Sequence, residues 1–251
     1  MPPEEKNVLI YGHRGTRTAA PENTLPAFKH AKHVGADGVE LDIHLTSDEE
    51  IVVIHDDRLE RTTNGFGRVR DHTFKELESL DAGVKFGDRW RGTRIPTLRQ
   101  VFQELGRFRY KIELKHGSSV YPGIEGKLLE TVREFCLEDF VRVTSFDYDA
   151  LKKVRELDGK DEIEIGVIMH GRPLWFVSIA ESLEAKWLQA FSGLVTREDV
   201  AAVHASGFKI GLWPIGSGED ALEALKKGAD EITADDVDSA LSALGRSRSQ
   251  S

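Results

Sequence analysis

The sequence has 251 residues, of which 39% are hydrophobic and 31% are charged, and its formal net charge is −9. This composition is typical of a folded globular chain and excludes a disordered one. The acidic balance, with no basic cluster beyond Arg246 and Arg248 near the end, argues against a nucleic-acid or anionic-membrane surface. The single cysteine, Cys136, excludes an internal disulfide.

The start of the chain, residues 1–6, lacks the basic and apolar regions of a secretory signal. No apolar run approaches the ~20 residues that a membrane-spanning helix needs. We therefore expect a cytoplasmic protein without stable membrane insertion. The sequence gives no indication of its oligomeric state.

The first predicted strand, residues 8–11, ends at a turn in which His13 and Arg14 lie between two glycines. Glycines permit a sharp turn with an exposed backbone at the end of a strand. A helical pattern follows, with Asn23 or Thr24 as its N-cap.

The second predicted strand, residues 39–44, carries ionisable side chains on one face only. Because side chains alternate along a strand, Glu40, Asp42 and His44 share a face, and aliphatic residues occupy the other. A lone strand of this kind is often an edge strand with a solvated face. We expect the carboxylates to have the functional role and His44 to pack beside them.

A second strand repeats the arrangement, with Glu113 between Lys111 and Lys115 on one face. Two such strands, each followed by a helical pattern, predict a closed parallel barrel whose acids point into the mouth. Strand starts near residues 8, 38, 110, 140, 163, 187, 208 and 230 give eight βα units. The predicted fold is therefore an α/β (β/α)₈ TIM barrel.

A further buried run, residues 51–54, ends at His55. The alternation of strand and helix patterns is then interrupted from about 58 to 94. Glycines alternate with charged residues there, and no strand-helix unit fits. We interpret this insertion after the second strand as a small cap over the barrel mouth. The prediction is one barrel domain over residues 1–245 with a disordered tail over 246–251.

At this point the sequence resembles the glycerophosphodiester phosphodiesterase family over nearly its whole length. No single motif is specific, but their order and spacing together are. The matching pieces are His13-Arg14-Gly15, Pro21-Glu22-Asn23-Thr24, Glu40-Leu41-Asp42, His55-Asp56, Arg61-Thr62-Thr63-Asn64-Gly65-Phe66-Gly67, Ile95-Pro96-Thr97-Leu98, Glu113-Leu114-Lys115 and Ser145-Phe146-Asp147.

The resemblance implies a metal-dependent hydrolase of glycerophosphodiesters, which releases sn-glycerol 3-phosphate and an alcohol from deacylated phospholipid head groups. Glu40, Asp42 and Glu113 would hold a divalent cation, and His13 and His55 would be the acid and base. It also implies that the neighbouring glycerol hydroxyl attacks first and gives a cyclic phosphate. The residues themselves leave direct attack by water open.

The resemblance assigns the remaining site residues to the substrate. Arg14 and Lys115 would contact the phosphate, Glu22 and Asn23 would complete the mouth, and Trp213 would pack against the glycerol. The family pattern changes at 213–216, where the sequence is Trp-Pro-Ile-Gly, and in the last strand, where Thr-Asp becomes Thr-Ala-Asp. These departures affect the far rim of the pocket.

The chemistry of a phosphodiester requires the same parts independently of the resemblance. An anionic substrate needs charge neutralisation, which Ca²⁺ or Mg²⁺ held by carboxylates and two basic side chains can supply. Histidine has the free pKa nearest neutrality for the two proton transfers. No cysteine lies near the carboxylates, so a thiolate zinc site is disfavoured, whereas His/carboxylate zinc or manganese stays open.

Two alternatives remain. A lysophospholipase-D-like enzyme would need an apolar channel through the cap, which Phe66, Phe74, Phe86 and Trp90 could line unless they form the core of the cap. A phosphate-binding barrel without catalysis is disfavoured, because all the proposed catalytic and metal positions are present.

Overall fold

Eight parallel strands close into a barrel in the computed structural model, which describes residues 8–159 and 162–246. The strands are β1 Leu9–Gly12, β2 Gly38–Leu45, β3 Ile51–Val53, β4 Arg109–Leu114, β5 Val141–Ser145, β6 Glu164–Met169, β7 Trp187–Phe191, β8 Lys209–Ile215 and β9 Glu231–Ala234. The α-helices are α1 Leu25–Val34, α2 Phe74–Glu78, α3 Leu98–Leu105, α4 Ile124–Glu134, α5 Tyr148–Asp158, α6 Val177–Ser182, α7 Arg197–Ala205, α8 Gly218–Lys227 and α9 Val237–Ala243.

The order of the barrel strands is β1, β2, β4, β5, β6, β7, β8 and β9, and β1 closes the barrel by pairing with both β2 and β9. Helices follow the parallel strands, so this architecture confirms the predicted (β/α)₈ barrel. The run 51–54 contributes β3, which pairs antiparallel with β2 and lies outside the parallel barrel.

The aliphatic faces of the acidic strands form part of the main hydrophobic core. Leu41 and Ile43 of β2, together with Ile112 and Leu114 of β4, are fully buried. β2 and β4 pair in register, with Asp42 opposite Glu113. The pairing therefore places the carboxylates of the two strands side by side on the other face.

The helix starts follow from local capping. Thr97 is the N-cap of α3, where its Oγ1 accepts a hydrogen bond from Gln100 N at 3.1 Å and the Gln100 side chain accepts one from Thr97 N at 2.9 Å. Thr24, rather than Asn23, is the N-cap of α1, although its hydroxyl donates to the carbonyl of Pro21. Asn23 is thereby available for another contact.

The predicted cap, residues 58–94, contains α2 and packs around a small hydrophobic cluster. That cluster contains Val52, Ile54, Leu59, Val69, Leu77, Ala82 and Ile95. Of the cap aromatics, Phe74 packs against this cluster, Phe66 is 76% exposed, and Phe86 contacts Trp90 edge to face. None of these four rings lines the pocket at the barrel mouth.

The last described residue, Arg246, was predicted to belong to the tail. Its guanidinium donates to both carboxylate oxygens of Asp37, at 2.9 and 2.8 Å, and to the carbonyl of Val8. The remainder of the predicted tail, residues 247–251, lies outside the described residues.

Charged side chains fill the barrel interior below the acidic layer. Lys111 Nζ lies 2.6 Å from Glu231 Oε1, and Arg142 Nη1 lies 2.5 Å from Glu231 Oε2. All three residues are at most 5% exposed. Glu231 is therefore the shared counter-ion of two buried cations.

Replacing Glu231 with alanine is expected to destabilise the fold by about 3–5 kcal/mol, because it leaves two buried cations without their common anion. Equilibrium denaturation in urea measures this loss. The control is Glu164→Ala, because Glu164 also pairs with Arg142, at 3.3 Å, but its side chain is 41% exposed. Equal effects of the two substitutions would contradict the assignment.

Candidate active site

Three buried carboxylates meet at the mouth of the barrel. Glu40 and Asp42 come from β2 and Glu113 from β4, and they are 5%, 1% and 9% exposed. One oxygen of each lies within 4.8 Å of an oxygen of the others. The structure thus brings together the predicted metal ligands.

These carboxylates fit a hard divalent cation. The donor set is entirely oxygen, which suits Ca²⁺ or Mg²⁺. Burial raises the pKa of Glu40, and repulsion from Asp42 and Glu113 adds to the effect. Burial likewise raises the pKa of Glu113. A cation bound among them would favour the ionised forms, so the triad could hold a metal ion.

Lys115 and Arg14 place positive charge against the same triad. Lys115 Nζ lies 2.9 Å from Asp42 Oδ1 and 2.7 Å from Glu113 Oε1. Arg14 Nε lies 3.4 Å from Asp42 Oδ2. Although burial opposes the ionisation of Asp42, these two cations hold its pKa well below the usual range. Asp42 is therefore ionised.

The turn after β1 presents His13 and Arg14 to the mouth. A Cβ at Gly12 would lie 1.9 Å from the Gly15 carbonyl oxygen, so the tightness of this turn requires glycine there. Arg14 itself has a left-handed φ of 53°, and its backbone N–H donates to Glu40 Oε2 at 2.9 Å. The strained turn is thus held by one of the carboxylates.

Asn23 contacts a carboxylate instead of the open mouth. Its Nδ2 donates to Asp42 Oδ2 at 2.7 Å, and its Oδ1 accepts from Asp42 N at 3.3 Å. Asn23 is 3% exposed and has a left-handed φ of 56°. In this geometry its amide fixes the orientation of Asp42.

Glu22 contacts arginines and is not a member of the carboxylate triad. Its Oε1 accepts from Arg14 Nη1 at 2.7 Å and from Arg61 Nη2 at 2.8 Å. Burial would raise the pKa of Glu22, but these arginines lower it to about 2. Because Arg61 belongs to the cap, Glu22 links the cap to Arg14 in the turn after β1.

Each of the two predicted catalytic histidines is held by a carboxylate at Nδ1. His13 Nδ1 contacts Asp235, and His55 Nδ1 lies 2.6 Å from Asp56 Oδ1. If Nδ1 carries the proton and donates it to the carboxylate, Nε2 of each ring is left as the acceptor. Burial lowers the pKa of both histidines, which favours the neutral rings.

His44 packs beside the site, as expected from the sequence. Its Nδ1 lies 2.7 Å from the Tyr121 hydroxyl and its Nε2 lies 2.9 Å from the His55 carbonyl oxygen. Burial lowers its pKa to about 4. His44 thus supports the backbone of His55.

A cavity of about 170 Å³ opens at the mouth between these groups. The predicted site residues that line it are His13, Arg14, Glu40, His55, Glu113, Lys115 and Trp213. The remaining three do not line the cavity: Asp42 contacts Lys115, Glu22 contacts Arg14, and Asn23 contacts Asp42.

An aromatic wall bounds one side of this cavity. The His170 ring stacks on Phe191 at 5.1 Å and on Phe146 at 6.1 Å, and Trp213 meets all three rings edge on. The sequence predicted Trp213 as a substrate contact but assigned no function to His170. Its position directly after β6, at the carboxyl end of a barrel strand, was the signal that could have identified it.

Asp235, the partner of His13, was also missed. It directly follows β9, within the Thr-Ala-Asp departure from the family pattern. The structure shows that this departure still supplies a carboxylate at the rim. Arg17 holds the other oxygen of Asp235 at 2.9 Å.

The fold and the site define a class, the (β/α)₈-barrel enzymes that combine a carboxylate cluster, basic side chains and histidines at the mouth of the barrel. The sequence model of the glycerophosphoryl diester phosphodiesterase family matches residues 13–239. The chain belongs to this family of enzymes, which hydrolyse glycerophosphodiesters.

Relatives with this activity in their names cover nearly the whole chain. A glycerophosphodiester phosphodiesterase of Caldanaerobacter subterraneus subsp. tengcongensis is 40% identical over 230 residues, which are 91% of this chain and 94% of the relative. One from Bacillus altitudinis is 36% identical over 239 residues, covering 92% and 96%.

Solved structures share the fold. An Oleispira antarctica phosphodiesterase, solved with the product sn-glycerol-3-phosphate, has a TM-score of 0.89 and 28% identity, covering 94% of this chain and 96% of that one. A glycerophosphodiester phosphodiesterase from Agrobacterium tumefaciens has a TM-score of 0.80 and 28% identity, covering 92% and 97%. Among the described residues, no helix combines the length and apolarity needed to cross a membrane.

Proposed function

We propose that this protein is a metal-dependent phosphodiesterase that hydrolyses glycerophosphodiesters to sn-glycerol 3-phosphate and an alcohol by two-histidine acid/base catalysis. The observation that carries the proposal is the placement of two carboxylate-held imidazoles, His13 and His55, around one cavity that also contains the acidic triad and Lys115. The small cavity supports a small-molecule substrate.

Arg14 and Lys115 would bind the phosphate. Both line the cavity, and each of them pairs with Asp42. The cation held by Glu40, Asp42 and Glu113, Ca²⁺ or Mg²⁺, would supply Lewis-acid polarisation of the phosphoryl group when bound. A bound cation adds positive charge beside the phosphate, so cation binding and substrate binding support each other.

The two histidines would divide the proton transfers. One imidazole accepts the proton of the nucleophile at Nε2, and the other donates a proton to the departing alkoxide. Asp235 and Asp56 hold the rings at Nδ1 and stabilise the imidazolium that forms during each transfer. Burial lowers both histidine pKa values, which favours the neutral ring that acts as the base; the ring that acts as the acid must start the step as the imidazolium, which its carboxylate partner stabilises.

A substrate panel tests this proposal. The purified protein with added Mg²⁺ or Ca²⁺ is given sn-glycero-3-phosphocholine, the ethanolamine diester and, as a control, glycerol 2-phosphate, and release of sn-glycerol 3-phosphate or of inorganic phosphate is measured. We expect turnover of the diesters only. Turnover of the monoester without turnover of either diester would contradict the proposal.

Lys115→Met is expected to lower kcat/KM by about 10²–10³-fold, because it removes one preorganised positive donor from the phosphate site. Lys111 lies four residues before Lys115, on the face of β4 that carries Glu113, and Glu231 holds it there. Lys111→Met is therefore the matched control, with reduced stability and a smaller catalytic loss. Steady-state kinetics of both variants decide, and an equal or larger catalytic loss for Lys111→Met would show that the phosphate lies elsewhere.

A further inference from the structure

The floor of the active-site cavity contains a buried amide whose donor has no partner. Gln189 on β7 lines the cavity and is 2% exposed. Its Nε2 finds no acceptor among the described protein atoms. A buried N–H without an acceptor is costly, so a donor of this kind normally meets a ligand or an ordered water.

Two neighbours fix which way this amide points. Lys111 Nζ donates to Gln189 Oε1 at 3.3 Å, so the oxygen must face Lys111 and the NH₂ must face away from it. Gly211 is the register partner of Gln189 on β8, and a Cβ there would lie 2.4 Å from Gln189 Oε1. The absence of a side chain at Gly211 makes room for the amide.

The depth of the Gln189 amide below the three carboxylates can be judged from Lys111, which contacts its oxygen. Lys111 lies two residues before Glu113 on β4, which places it roughly 7 Å below the carboxylates at ~3.3 Å per residue. Below Gln189 the barrel is closed by the ion pairs of Lys111 and Arg142 with Glu231. A group that enters from the mouth can therefore be only a few atoms long.

We propose that Gln189 Nε2 donates a hydrogen bond to the terminal hydroxyl of the substrate's glycerol group at this floor, so that the enzyme selects diesters whose glycerol carries no acyl chain. This inference rests on the proposed function. The phosphate stays at the mouth with Lys115, and the glycerol extends downward past Trp213 to the amide. An acyl ester at the terminal hydroxyl would have to pass through the closed floor.

The test compares two substrates that differ only in this hydroxyl. They are sn-glycero-3-phosphocholine and its analogue with hydrogen in place of the terminal hydroxyl, which keeps the neighbouring hydroxyl and the phosphocholine. The wild-type enzyme is expected to prefer the glycerol substrate by about 10- to 100-fold in kcat/KM, because the analogue leaves the buried donor unpaired. Turnover of 1-acyl lysophosphatidylcholine should be lower still.

Two variants locate the preference at Gln189. Gln189→Met keeps the side-chain volume but removes the donor, and Gly211→Ala displaces the amide while leaving it in the sequence. Both should lower kcat/KM on the glycerol substrate to near that on the analogue and leave the analogue's value nearly unchanged. Thermal unfolding and turnover of the analogue check the fold of each variant.

Each contrary outcome has a distinct meaning. Wild-type turnover of both substrates without preference, a preference that persists in both variants, or an equal loss on both substrates would overturn the role of Gln189 and leave the proposed function intact. If the wild-type enzyme hydrolysed 1-acyl lysophosphatidylcholine as fast as sn-glycero-3-phosphocholine, the role of Gln189 would also be overturned. No wild-type turnover of any glycerophosphodiester would overturn the proposed function and this inference together.

Discussion

Replacing either His13 or His55 with alanine is expected to lower kcat by about 10²–10⁴-fold while the fold and the cation site remain. Each ring lines the cavity and is held at Nδ1 by a carboxylate, so Nε2 is the atom available for proton transfer. Steady-state kinetics with a glycerophosphodiester, together with circular dichroism, measure the effect.

The matched control is His30→Ala. His30 Nε2 also pairs with a carboxylate, Asp238 at 2.6 Å, but this pair lies on the surface and away from the cavity. We expect its kcat to stay near the wild-type value. Near-normal kcat in either the His13 or the His55 variant would show that the assignment is wrong.

Removal of divalent cations with EDTA is expected to abolish turnover, and Mg²⁺ or Ca²⁺ should restore it. Glu40, Asp42 and Glu113 are buried within 4.8 Å of one another, and Arg14 and Lys115 balance only part of their charge when all three are ionised. Without a cation, Glu40 and Glu113 with their raised pKa values leave the triad partly protonated, and no Lewis acid is present to polarise the phosphoryl group. Activity and isothermal calorimetry on chelated enzyme measure the requirement.

The affinity for the cation should also depend on pH. Because the pKa values of Glu40 and Glu113 are raised in the free protein, cation binding must displace protons from them. The affinity should therefore rise from mildly acidic to neutral pH, with proton release that calorimetry in two buffers detects.

Two variants separate the triad from acidic residues in general. Glu113→Ala should weaken cation binding, whereas Glu104→Ala, which removes a half-exposed carboxylate paired with Lys29, should not. Full turnover by metal-free enzyme, or wild-type cation affinity in Glu113→Ala, would contradict this account.

Local sequence patterns predicted the barrel and the convergence of the three carboxylates because both depend on alternation along single strands. Glu40 and Asp42 share a face of β2. Because β4 is the neighbouring strand and pairs with β2 in register, Glu113 lies on the same face beside them. Position at the carboxyl end of a barrel strand similarly predicted His13, whereas His55 follows β3, which pairs antiparallel with β2 outside the parallel barrel.

Contacts made only by closure of the barrel could not be predicted in the same way. Asp235 reaches His13 across 222 positions of sequence, and Lys111 reaches Gln189 across 78. Gln189 lies in β7 and His170 directly follows β6, and neither strand has an alternating charged face. Only the three-dimensional register of β4, β7 and β8 shows that Gln189 belongs to the cavity floor.

The most direct test of the central claim is a ³¹P NMR time course of sn-glycero-3-phosphocholine with the metal-loaded enzyme. The signal of the diester should be replaced by that of sn-glycerol 3-phosphate, with choline appearing in equal amount in the ¹H spectrum. Formation of phosphocholine and glycerol instead, or an unchanged diester signal, would contradict the account.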